Sequence, residues 1–200
     1  MKTALWYCGI MFLVIAYFAA TVPKKEQPPP DFRSGVAMSS LAFRMNRLVS
    51  HMDSDERRYW QSVYPVESIL QVRANNATTA RRVAWIVDSE ARALGMSPML
   101  MAGVISIENP WLIADTTSSA GAVGIMQVMP MHYGQHASCD GELDEELGNV
   151  CYGISVFREQ FRLALHRAIR SALLGFNGCV STPGCKDYPD KVLSKITNNE

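Results

Sequence analysis

Glu108 is the carboxylate whose setting in this 200-residue chain best suits chemistry. From Met99 to Ile107 no residue is charged, and a helix apolar on nearly every face belongs in a core. Ser97 can cap that helix, and Pro98 suits its first turn. Pro110 disfavours the α conformation at Asn109, so the helix should stop there and leave Glu108 at its carboxyl end. The helix dipole and apolar surroundings both disfavour the charged carboxylate and push its pKa upward. A carboxyl that keeps its proton near neutrality can serve as a general acid. The plainer alternative is a last-turn residue bent out to water.

Downstream, Ser118-Ser119-Ala120-Gly121-Ala122-Val123-Gly124-Ile125-Met126-Gln127 sets glycines three residues apart among small side chains. Such a segment lets backbone approach another chain or a ligand closely. Gln127 brings an amide with donors and an acceptor, suited to amide and hydroxyl recognition. The plainer alternative is a tight turn before a helix starting near Pro130.

The helix ending in Glu108, the Ser118-to-Pro130 run with its Gly-Ile-Met-Gln, and Ala172-Leu173-Leu174-Gly175-Phe176-Asn177-Gly178 together resemble the soluble lytic transglycosylase (SLT) family over roughly Met96 to Leu193. Asn149-Val150 resembles the start of a family helix, and Tyr188-Pro189-Asp190 the family's final Tyr-containing segment. Three departures stand out. Asn109 occupies the usual Ser position, Phe176 the usual Tyr position, and the loop from Glu108 to Ser118 is about one residue long.

The resemblance implies an all-α, lysozyme-like domain acting on peptidoglycan glycan strands with no cofactor or metal. Glu108 matches the family's single acid/base. Ser118, Gly124, Met126, Gln127, Phe176, Asn177 and Tyr188 match its substrate-contacting positions, and Tyr188 is a candidate for contact with the sugar or the carboxyl itself. The implied reaction cleaves the β-1,4 bond between N-acetylmuramic acid and N-acetylglucosamine and closes a 1,6-anhydro ring. An internal hydroxyl nucleophile removes the need for the second carboxylate that most glycosidases carry. Asp115, in the loop after Glu108, leaves a hydrolytic muramidase as one alternative. Asn109 and Phe176 motivate another, a peptidoglycan-binding assembly factor with little turnover.

Composition sets the outer bounds. Hydrophobic residues make up 48% of the chain and the formal net charge is zero, which excludes global disorder and gives no basic footprint for nucleic acid. Cys139, Cys151, Cys179 and Cys185 form an even set in the last third. In an exported domain they read as disulfides, and local pairing of Cys139 with Cys151 and Cys179 with Cys185 closes two short loops. A zinc site fits poorly, because no Cys-x-x-Cys occurs and the histidines are scattered. His132 and His136 are spaced to share a helical face without a third ligand. The acidic loop 140–148 lacks the ordered ligand spacing of a calcium loop.

The elements expected to carry this machinery divide the chain at 1–23, 24–35, 36–76 and 77–200. Residues 4–22 are uncharged and approach the ~20 needed to span a bilayer, so they read as an inner-membrane anchor, with a cleaved signal peptide as the alternative. Pro28-Pro29-Pro30 lies in a semi-rigid linker. A helical extension follows over 36–76, with Asp53 capping a helix, Pro65 interrupting it, and His51, Trp60 and Tyr64 packed inward. Residues 78–94 read as an amphipathic helix with Arg81, Arg82 and Arg92 on a solvated face, and 149–175 as helix nearly throughout. A wall substrate and disulfides imply a periplasmic location. Wall turnover, secretion, conjugation and phage machinery all remain open as settings.

Overall fold

The computed structural model describes residues 53–74, 76–179 and 185–197. The expected anchor or signal over 4–22, the Pro-rich linker, the helix over 36–50 and His51 lie outside them. Helices follow in the order α1 (Ser54–Arg58), a π turn (Tyr59–Val63), α2 (Tyr64–Gln71), α3 (Ala77–Ala93), α4 (Pro98–Glu108), a 3-10 turn (Pro130–His132), α5 (Glu146–Leu163), a second 3-10 turn (Leu165–Arg167), α6 (Ile169–Phe176) and α7 (Tyr188–Thr197). Among the described residues the extended pairing consists of isolated bridges joining Thr117 to Val123 and Val123 to Val128, as an all-α reading requires. Among those residues, too, no helix is long and apolar enough to cross a membrane.

Helix α4 is the centre. Ser97 Oγ accepts the Leu100 amide, Pro98 opens the first turn, and the helix ends at Glu108 as the Asn109-Pro110 sequence dictates. Leu100 through Ile105 are buried on every face, so neighbours must cover the helix all round. Helices α2, α3 and α7 do so, with Val66, Ile69 and Leu70, then Val83, Ala84 and Val87, then Val192. Gly103 admits α7 closely, since a Cβ there would lie 3.1 Å from the Val192 carbonyl oxygen. Each large aliphatic side chain so buried contributes about 1.5–3 kcal/mol.

Several sequence expectations are corrected. Pro65 does not interrupt its helix. The preceding turn widens to π geometry, with the Tyr64 amide donating to the Tyr59 carbonyl, and Pro65 falls in the first turn of α2, where a missing N–H is tolerated. Helix α2 packs on both α3 and α4, with Val66, Ile69 and Leu70 in the common core. Trp60 and Tyr64 are about half exposed, on the outer side of an aromatic cluster with Tyr59.

The arginines of α3 are not merely solvated. Arg81 pairs with Glu67, Arg92 with Asp88, and Arg82 with Glu146 of α5. Glu67 and Asp88 are fully buried, so these pairs neutralise core charge. Glu67 also accepts from the Tyr59 hydroxyl and the Gln71 amide, and Asp88 from Arg58 at 2.9 Å.

The run 149–175 breaks after Leu163 without a glycine, because His166 and Arg167 take left-handed φ values of 56° and 52°. The helix expected at Pro130 is a single 3-10 turn, so His132 and His136 share no helical face. The disulfides form as paired from the sequence, Cys139 with Cys151 and Cys179 with Cys185.

The buried carboxylate of Asp88 generates a prediction. Replacing both partners, Arg58→Met with Arg92→Met, strands that charge and should cost roughly 3–5 kcal/mol in urea unfolding at neutral pH. Adding Asp88→Asn should restore most of the loss.

Candidate active site

Glu108 leaves the end of α4 and meets α7. The Tyr188 hydroxyl, at the start of α7, donates to Glu108 Oε1 at 2.5 Å. Burial pushes the Glu108 carboxyl above its ordinary range, and the Tyr188 hydrogen bond opposes this in part. Tyr188 itself is 4% exposed, and its phenol is pushed strongly upward by burial, then by the adjacent Glu108 charge and hydrogen bond. It therefore stays a donor across any working pH. Asn177, at the end of α6, is close enough to the Tyr188 hydroxyl to oppose that rise slightly. Asn177 ends α6 because Gly178 follows at φ +68°, and the Cys179 amide reaches back to the Leu174 carbonyl at 2.8 Å.

Asn109 turns the other way. Its side-chain amide donates to the carbonyls of Ile113 at 2.7 Å and Gly124 at 3.2 Å, and its Oδ1 accepts the Ile113 amide. It does not hold the Glu108 carboxyl; it staples the following loop to the helix end. The Gly124 carbonyl also accepts Gln127 Nε2 at 2.8 Å. Gln127 then lines a small cleft with Val128, Met129, His132, Val156 and Phe176. The contacts close a circuit, from Glu108 through Tyr188 and Asn177 to Phe176, across the cleft to Gln127, and back through Gly124 and Asn109.

The loop is held from below by Asn149, which is fully buried in the first turns of α5. Its Oδ1 accepts the Met126 amide at 2.7 Å, and its Nδ2 donates to the carbonyls of Val123 and Leu143 at 2.8 and 2.7 Å. Gly124 is required here on two counts. Its φ is +79°, and a Cβ would lie 2.2 Å from Asn149 Nδ2. The close approach read from the glycines is thus to the protein's own helix.

The expected binding residues separate accordingly. Glu108, Tyr188 and Asn177 come together, and Gln127 faces Phe176. Ser118 closes a turn, with its hydroxyl accepting the Ala122 amide at 3.0 Å. Met126 has no exposed surface and packs against Gly153, so its side chain supports the loop rather than meeting a ligand. Gly124, also buried, acts in the same way. The sequence reading missed the role of Asn149. Its signal was a polar amide among apolar helical residues, Val150 to Ile154, where a buried side chain must find partners. Met129 and Val156 were missed as cleft walls. Among the described residues no cluster of His, Cys, Asp and Glu is arranged to hold a metal ion.

Residues 85–162 match the family model for the Transglycosylase SLT domain, in agreement with the resemblance read from the sequence. The match takes in α4, the glycine loop and α5, and stops before Asn177 and Tyr188, whose place in the site comes from geometry alone. No curated protein and no solved structure matches the chain.

Two predictions follow from this geometry. Asn149→Ala leaves the Met126 amide and the Leu143 carbonyl without the partners that Asn149 gave them, and should cost about 2 kcal/mol or more in chemical denaturation. The raised pKa of Glu108 makes the native state keep its proton longer than the unfolded chain does. Stability therefore falls as pH rises from the ordinary value of 4.5 through the raised one, and is level above it. Glu108→Gln removes that titration. Its urea midpoint should move above that of the unmodified protein as pH rises from about 4 to about 7, and a constant difference across that range would contradict the assignment.

Proposed function

We propose that this chain is a peptidoglycan lytic transglycosylase in which Glu108 serves as both acid and base. The observation that carries the reading is a half-buried carboxyl with a raised pKa, held at one oxygen by Tyr188 at the end of a buried helix. With Oε1 occupied, Oε2 is the oxygen free to deliver a proton to the glycosidic oxygen between N-acetylmuramic acid and N-acetylglucosamine. Departure of the leaving sugar develops positive charge at C1. The resulting carboxylate then takes the proton from the muramoyl C6 hydroxyl, which closes on C1 and gives the 1,6-anhydro product. Glu108 gives one proton to the leaving oxygen and regains one from the C6 hydroxyl, so the carboxyl ends as it began and no water is consumed. Tyr188 steadies the carboxylate between the two steps. Asn177, close to Tyr188, is the side chain we assign to substrate contact on this side.

Asp115 is exposed and lines a different cleft with Glu142 and Asp144, which weakens the hydrolytic alternative. Disulfides and a wall substrate support work outside the cytoplasm, in the periplasm, with residues 4–22 as inner-membrane anchor or signal.

Mass spectrometry of purified cell wall after digestion tests the reaction. Anhydro-muropeptides should appear, and Glu108→Gln should reduce their rate by roughly 10²–10⁴-fold. Reducing-end products would indicate a muramidase, and retained pelleting without release would indicate a binder. Tyr188→Phe removes the hydrogen bond that lowers the Glu108 pKa, so the rate profile of this variant should shift to higher pH.

A further inference from the structure

The Cys179–Cys185 disulfide stands between Asn177 and Tyr188 in the chain. Cys179 is built into the end of α6, where its amide donates to the Leu174 carbonyl at 2.8 Å. Cys185 precedes α7, and its carbonyl accepts the Tyr188 amide at 3.0 Å. The bond therefore ties the end of one helix to the residue that starts the next. Cys179 Sγ also lies 3.1 Å from Asn177 Oδ1. A disulfide sulfur has no proton to offer that oxygen, whereas a thiol has one. Asn177 is close to the Tyr188 hydroxyl, which donates to Glu108 Oε1 at 2.5 Å. Contacts thus run from sulfur to carboxyl through Asn177 and Tyr188.

The two disulfides differ in access. Cys139, Cys151 and Cys179 are buried, whereas Cys185 is half-buried and the most open of the four. The Cys179–Cys185 loop is also the shorter, with a sequence separation of 6 against 12, so its closure contributes less to stability through chain entropy. Cys185 Sγ is accordingly the sulfur that a dithiol meets first. The attacking thiolate bonds to that sulfur as the Cys179–Cys185 bond breaks, and the electron pair leaves on Cys179 Sγ, which takes a proton. The second thiol of the dithiol then displaces Cys185, so the protein ends with two thiols and the reductant with a disulfide. We propose that the Cys179–Cys185 bond is a redox control on the Glu108–Tyr188 pair, which is held while the bond is closed and loosened when a dithiol opens it. The inference rests on the acid/base reading for its effect on turnover, while its effect on the carboxyl follows from the contacts.

The glutamate carboxyls of the full chain are titrated by carbon NMR before and after dithiothreitol, with Glu108→Gln identifying the Glu108 signal. Mass spectrometry of alkylated peptides records which thiols are free. Opening Cys179–Cys185 with Cys139–Cys151 intact should move the Glu108 titration to higher pH by roughly 1 pH unit, and reoxidation should reverse the move. The Cys179→Ser, Cys185→Ser double variant should titrate as the opened form does. In Tyr188→Phe, which has no hydroxyl to lose, opening the bond should move nothing. An unchanged titration with both thiols alkylated would overturn the proposal. An equal move in Tyr188→Phe, earlier opening of Cys139–Cys151, or loss of helical circular dichroism on opening would do the same. Release of anhydro-muropeptides is followed on the same samples, and its pH profile should move with the titration. A closed form that releases none sinks the enzymatic reading, while the titration still decides whether the disulfide governs the carboxyl.

Discussion

The structure depends on a helix with no polar face. Helix α4 cannot rest one side on water, so it must be enclosed, and the enclosing elements come from distant parts of the chain. Helix α2 supplies one wall, α3 another and α7 a third, the last admitted by Gly103. Glu108 ends this helix and inherits its enclosure. Its proton affinity is therefore set largely by the burial that holds the core together, and the helix end is a good place to keep a carboxyl neutral.

Enclosure alone would leave an acid without direction. The Tyr188 hydroxyl fixes one oxygen, and it is available because α7 packs along α4. The glycine loop is positioned by separate means, through Asn109 above and Asn149 below. Two side-chain amides thus bring the amide of Gln127 to the same cleft edge as Phe176. The Asn at position 109, which the resemblance marked as a departure, has a structural task that makes no use of the carboxyl.

Much of this was legible because it rests on local rules. Ser97, Pro98 and Pro110 bound α4, and the short cysteine spacings favour the local pairing. What was not legible depends on partners far away in sequence. Arg81 and Arg92 read as surface charges because nothing nearby says that Glu67 and Asp88 are buried beneath them. Met126 was matched to a substrate-contacting position through the resemblance, and its burial and packing on Gly153 depend on a helix distant in sequence. Pro65 read as a helix stop because a π turn has no distinct residue signature.

The Cys179–Cys185 bond carries one more consequence. Asn177 precedes it and Tyr188 follows it, so a covalent clasp joins the two segments that meet at Glu108. Without that clasp, the arm carrying Tyr188 would dock on α4 by packing alone, and its search for the carboxyl would begin from a wider ensemble. The Cys179–Cys185 bond in this way narrows the search that brings the Tyr188 hydroxyl to Glu108.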